Sequence, residues 1–162
     1  ARDTVNKLPQ VRNFDLIMLD AFSPSKCPQL WTEDFLRSLA KLLKPDGRII
    51  TYSSAAAVRG SLKRASLSLM SIKSNKEENL NWSSGTVGIY NFNPNKKKGL
   101  EEKLQVLSPM EEEHLETKAA VPYRDPYGTR TKEEIMNIRQ IEQMKSQMEN
   151  TKQWKLRWGI LD

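Results

Sequence analysis

The stretch Phe14-Asp15-Leu16-Ile17-Met18-Leu19-Asp20 decides the fold. Its apolar residues run almost without interruption and stop at a carboxylate, with Asn13 in front and Ser23-Pro24 behind. A short apolar run of this kind is the form of a strand buried on both faces of a parallel sheet. From Thr32 onward, Phe35, Leu36, Leu39, Leu42 and Leu43 recur at helical spacing, and Thr32 caps a first turn that carries Glu33 and Asp34. The spacing places Lys44 in the last turn, with Pro45-Asp46-Gly47 stopping the helix. Arg48 to Ser53 then reads as a second strand.

Ser54 to Leu67 forms a second amphipathic helix, with Ala55, Val58, Leu62 and Ala65 on one face and Arg59, Lys63 and Arg64 on the other. Gly60 weakens it. Leu67 to Ile72 and Thr86 to Phe92 alternate as two further strands, separated by a polar hairpin or loop around Asn75 to Ser84. The order strand, helix, strand, helix, strand, strand implies an α/β fold with a parallel sheet and an antiparallel edge.

Asn93-Pro94-Asn95-Lys96-Lys97-Lys98-Gly99 has the composition of a linker. The expected division is therefore 1–93 as the α/β part and 94–162 as linker and mostly helical extension. In the extension, Ser108-Pro109-Met110-Glu111 is a capping box that opens a short acidic helix through Leu115. Thr131 with Glu134 makes a second capping box, followed by a stripe of Ile135, Ile138, Ile141, Met144 and Met148 along a helix of about 18 residues. That stripe needs a surface, on the α/β part or on a partner. Val121 to Gly128 is rich in turn residues; the segment 75–106 has no role assigned to it, and the pair Trp154 and Trp158 is expected to pack against the fold.

The whole chain has 162 residues, room for about one ordinary domain. Hydrophobic residues make up 38% and charged residues 28%, which excludes a wholly disordered chain and leaves a modest core with a long solvated part. One cysteine, Cys27, and one histidine, His114, cannot build a Cys/His zinc site or an internal disulfide, so a metal-free cytoplasmic protein is expected. No apolar run reaches the roughly 18 residues of a membrane helix. The chain begins at Ala1 without methionine, and it reads as an interior piece of a longer sequence. Its net charge of +6 is concentrated in residues 1–90, with 13 Lys/Arg against 8 Asp/Glu. A solvated surface and a nucleic-acid footprint explain this excess equally well.

Ligands of open α/β sheets bind beyond the carboxyl ends of the strands, where Asp20 stands. The loop after it, Ala21-Phe22-Ser23-Pro24-Ser25-Lys26-Cys27-Pro28-Gln29-Leu30-Trp31, joins stiff prolines to two aromatic rings and a lysine. This is a wall suited to a planar, anionic ligand. The same residues admit a plainer role, in which Asp20 caps a turn and Phe22 and Trp31 pack the helix onto the sheet.

Phe14 to Thr32, with its ordered Asp20-Ala21-Phe22-Ser23-Pro24, Lys26, Pro28 and Trp31-Thr32, resembles the fourth-strand motif of the MnmC-like methyltransferases. Leu43-Lys44-Pro45-Asp46-Gly47-Arg48, Thr51-Tyr52-Ser53 and Val58-Arg59 are similar to the next helix, fifth strand and following helix of that family. Leu107 to Leu115 and Val121 to Pro126 resemble the extension of its cyanobacterial branch. The resemblance implies the C-terminal half of a class I, Rossmann-like methyltransferase sheet that moves a methyl group from S-adenosylmethionine to the aminomethyl nitrogen of a wobble uridine in tRNA. It also implies a role for each matching residue. Asp20 would orient the substrate amine or accept its proton, and Phe22, Pro24 and Trp31 would shape the pocket for the flipped base, with stacking worth about 1–3 kcal/mol. Lys26 and Arg59 would contact phosphate or ribose.

Two features depart from the family. The glycine-rich loop after a first strand and the acidic residue after a second are missing, since the first glycine of the chain is Gly47. Asp46 stands where glycine is common and Gly60 lies inside a helix. The expectation is a fragment that neither binds the cofactor nor turns over alone. Nothing resembles the flavin-dependent oxidase fused to bifunctional members, so no flavin is expected and an oxidase would be a separate partner. A polyamine-synthase-like aminopropyl transferase and a non-catalytic interaction or nucleic-acid-binding module are the competing readings; the Pro24-to-Trp31 loop argues against the former.

Overall fold

A computed structural model describes residues 2–9, 11–72, 85–90 and 103–160. Five strands form one sheet: β1 (Phe14–Leu19), β2 (Leu43–Thr51), β3 (Ser68–Ile72), β4 (Thr86–Ile89) and β5 (Leu104–Val106), in the order β1-β2-β4-β3-β5. β1 and β2 run parallel, joined by α2 (Glu33–Leu42). Helix α3 (Ala56–Arg64) carries the chain from β2 to β3, and β4 slots between them antiparallel to both. The alternating order and the antiparallel end agree with the sequence, as does the cap on α2, where the Phe35 amide donates to Thr32 Oγ1 at 3.3 Å.

Three features differ from expectation. Helix α2 ends at Leu42, and Lys44 already lies in β2. The register explains why: Phe14 faces Leu43 and Leu16 faces Arg48, so Pro45, Asp46 and Gly47 form a hump on β2 instead of a turn before it. Gly47 is required there, because a Cβ would sit 2.7 Å from the Phe14 carbonyl oxygen. The second difference is β1, expected to be covered on both faces. Ile17 and Leu19 pack on the core, but Phe14, Leu16 and Met18 are 41%, 47% and 75% exposed. Among the described residues β1 pairs with β2 alone, so its outer edge and one face stay open. Third, α5 (Lys132–Lys145) has 14 residues and stops before Met148.

One face of the sheet carries the main core, in which Ile49 and Leu67 meet Val58 and Leu62 of α3 and Phe35, Leu36 and Leu39 of α2. A second layer on the other face joins Met70, Val87, Ile89 and Leu104. The extension is built into both layers. β5, too short to be read from the sequence, pairs with β3. Tyr123 and Ile135 enter the main core beside Trp31, and the Glu33 amide donates to the Tyr123 carbonyl at 2.9 Å. The surface needed by the Ile135 stripe is thus the α/β part, although Ile141 and Met144 remain exposed. Both capping boxes form, at Ser108 on α4 (Pro109–His114) and at Thr131 on α5.

Two short helices were not anticipated, α1 (Arg2–Lys7) and α6 (Thr151–Arg157). Trp154 of α6 is buried and stacks on His114 of α4, with ring centroids 4.3 Å apart. Trp158 donates to Glu113 at 2.9 Å, so the two tryptophans lock α6 onto α4. The polar stretch 75–84, the linker 93–99 and the end of the strand expected to reach Phe92 lie outside the described residues.

Candidate acceptor cleft at the end of β1

β1 delivers Asp20 at its carboxyl end, and the loop that follows folds into a tight arch: the Lys26 and Cys27 amides both donate to the Ser23 carbonyl, at 2.8 and 2.9 Å. Pro28 then starts a single 3₁₀ turn (Pro28–Leu30) that hands the chain to Trp31 and α2. The result is an open cleft of about 610 Å³ lined by Asp20, Ala21, Phe22, Ser23, Lys26, Cys27, Leu30 and Tyr52. That volume is within the range of small-molecule sites, about 300–1,000 Å³.

The cleft brings together three of the residues singled out from the sequence, Asp20, Phe22 and Lys26. Asp20 and Lys26 are exposed, and neither side chain has a hydrogen bond or ion pair among the described residues. Phe22 is 79% exposed, an unusual position for an aromatic ring that has no function in the core. Pro24 lies in the loop, half-buried, and does not line the cleft.

Trp31 and Arg59 are placed elsewhere. Trp31 has no exposed surface, so its ring has no face to offer a ligand; its indole N–H donates to the Phe22 carbonyl at 2.7 Å and it meets Tyr52 edge-on at 6.0 Å. Arg59 is 1% exposed. Its guanidinium is bound by Glu111 Oε1 at 2.9 Å, Thr86 Oγ1 at 2.8 Å and the Gly85 carbonyl at 3.1 Å. A surface contact to phosphate or ribose is not open to it; the group is a structural tie between α3, β4 and α4. The residue missed by the site prediction is Tyr52, half-exposed, whose hydroxyl donates to the Ala21 carbonyl at 2.8 Å. Its signal was its place immediately after β2, next to the strand that delivers Asp20.

No group of His, Cys, Asp and Glu side chains among the described residues is arranged to hold a metal ion. The donor set for a nucleotide cofactor is also incomplete. A glycine-rich turn that lets backbone amides approach such a ligand is absent from the strand ends described, and among the described residues β1 has no neighbour on its outer edge. The described residues at this strand end do not by themselves fit a complete nucleotide cofactor.

An open α/β sheet with a carboxylate at a strand end, beside an exposed aromatic ring and an exposed lysine, has these groups where Rossmann-like folds bind their ligands. A family model for the S-adenosyl-L-methionine-dependent methyltransferases matches residues 1–81, and the chain belongs to that family. Within it the chain is MnmC-like. It is 36% identical over 76 residues to the tRNA 5-methylaminomethyl-2-thiouridine biosynthesis bifunctional protein MnmC of Aeromonas salmonicida, covering 44% of this chain and 11% of that protein. It is 30% identical over 132 residues to an uncharacterized protein of Methanocaldococcus jannaschii, covering 80% of this chain and 33% of that one. The crystal structure of MNMC2 from Aquifex aeolicus superposes with a TM-score of 0.70 at 26% identity, covering 89% of this chain and 42% of that chain. The chain thus spans about a third of the archaeal relative and a smaller part of the bacterial one. Among the described residues no helix is long and apolar enough to cross a membrane.

Proposed function

We propose that the chain is the acceptor-binding part of an enzyme that methylates the aminomethyl nitrogen of a modified wobble uridine in tRNA. Residues 1–93 are the methyltransferase part in this reading, and 94–162 are linker and buttressing extension. The observation that carries it is the cleft itself, which sets the Asp20 carboxylate, unpartnered among the described residues, beside the exposed Phe22 ring. The name of the Aeromonas relative, which ties that protein to 5-methylaminomethyl-2-thiouridine in tRNA, supplies the substrate.

The chemistry follows from the amine. As an ammonium it has no lone pair; a carboxylate that accepts its hydrogen bond aligns the nitrogen and takes its proton, leaving it nucleophilic. S-adenosylmethionine supplies an electrophilic methyl group in this family. Asp20 is the residue that does the aligning, Phe22 offers its face to the extruded base, and Lys26 meets phosphate at the rim. Pro24 stiffens the arch between them. Trp31 shapes the pocket from behind, through the Phe22 carbonyl.

The open edge of β1 supports a second element of the proposal, that the cofactor is held by further strands beside β1. Asp20→Ala in the enzyme is expected to lower methyl transfer by about 10²-fold or more, the contribution of a positioned proton acceptor, with thermal unfolding unchanged. Turnover at the unsubstituted rate would refute the role of Asp20.

A further inference from the structure

The turn that carries Asp20 into the cleft is held at two successive carbonyl groups. Tyr52 Oη donates to the Ala21 carbonyl at 2.8 Å and Trp31 Nε1 to the Phe22 carbonyl at 2.7 Å. These carbonyls belong to the two peptide planes that flank Phe22. A planar peptide leaves only φ and ψ free at each residue, so pinning both planes fixes the backbone of Phe22 and the direction in which its side chain leaves the chain. Only φ and ψ of Ala21 then separate the pinned plane from the peptide of Asp20, which the end of β1 holds from the other side.

Both donors stand on firm ground. Trp31 is wholly buried in the main core. Tyr52 sits between Thr51 and Ser53, both buried, and the Ser53 carbonyl accepts from Thr86 Oγ1 at 2.7 Å. The two rings brace each other edge to face, with planes at 84°. The acceptors, by contrast, belong to an exposed loop whose own bonds, to Ser23, lie further along. The order is therefore transmitted from the core and β2 to the loop.

We propose that Tyr52 is a positioning residue, whose hydroxyl acts with the Trp31 indole as a two-point clamp presenting Asp20 and Phe22 in one orientation. The proposal rests on the reading of this cleft as the acceptor site. The clamp acts through the backbone and needs no contact between the Tyr52 hydroxyl and the acceptor.

Tyr52→Phe tests it, since the ring and its contact with Trp31 are kept and only the donor is lost. In the full chain, amide exchange at Lys26 and Cys27 is expected to speed up about 2- to 12-fold, the equilibrium worth of one hydrogen bond, while Leu36 and Ile49 exchange as before. Unchanged exchange at Lys26 and Cys27 would overturn the clamp. In the enzyme the same variant is expected to lower kcat with KM for the RNA unaltered, because a misdirected carboxylate costs alignment and not binding. An unaltered kcat would overturn the positioning role. The two readings fail separately: full turnover by Asp20→Ala removes the acceptor site and leaves the exchange result standing.

Discussion

Arg59 and Phe22 were read from the sequence as members of one site, and burial separates them. An arginine on a helix in a basic chain has no feature that distinguishes a phosphate contact from a buried ion pair; the partner, Glu111, is 52 positions away. Removing one member of such a pair leaves an uncompensated buried charge, at a cost of about 3–5 kcal/mol. Arg59→Met is therefore expected to lower the free energy of unfolding in urea by that order, and the double variant Arg59→Met with Glu111→Leu to recover much of the loss. A surface arginine would leave stability unaffected. The placing of Asp20, Phe22 and Lys26 on one cleft was legible because an ordered motif at a strand end has a location in the fold, beyond its chemistry. Trp31 was legible as a neighbour of the site, but its role behind the backbone depends on a hydrogen bond that no sequence pattern encodes.

At the scale of elements, the β1-α2-β2-α3 order and both capping boxes were readable because apolar periodicity and cap chemistry are local. The hump at Pro45–Gly47 was not, because Pro-Asp-Gly is equally the signature of a helix stop. Gly47→Ala would drive a methyl group against the Phe14 and Lys44 backbone, and a loss of about 1–3 kcal/mol in stability is expected from chemical denaturation. A neutral effect would mean that the hump is not as drawn. β5 is only three residues long, and its place was set by β3 instead of its own pattern.

The α4–α6 contact carries a pH signature. His114 is held down to about 4 from its ordinary 6.5, first by burial and then by the nearby Arg59 and Lys155 charges. The unfolded chain therefore takes up a proton that the folded chain refuses, so this contribution to stability is complete above about pH 6.5 and is lost as pH falls towards 4. The melting temperature is expected to drop across that window, and His114→Phe, which keeps the stack on Trp154, to flatten the drop between pH 6.5 and 4.5. An unchanged slope would place the acid sensitivity elsewhere.

For the whole molecule, the exposed Phe14, Leu16 and Met18 matter most. The apolar run was read as a strand buried on both faces; it is a strand, and the described residues leave one face of it uncovered. That open face, the Asp20 cleft at its end and the absence of a glycine-rich turn among the described residues are what the proposed reading joins, as an acceptor wall whose cofactor side further strands would complete. Calorimetric titration of this chain with S-adenosylmethionine tests that picture most directly. The account predicts no saturable heat; a saturable one-to-one isotherm would contradict it, by showing that these residues already hold the cofactor.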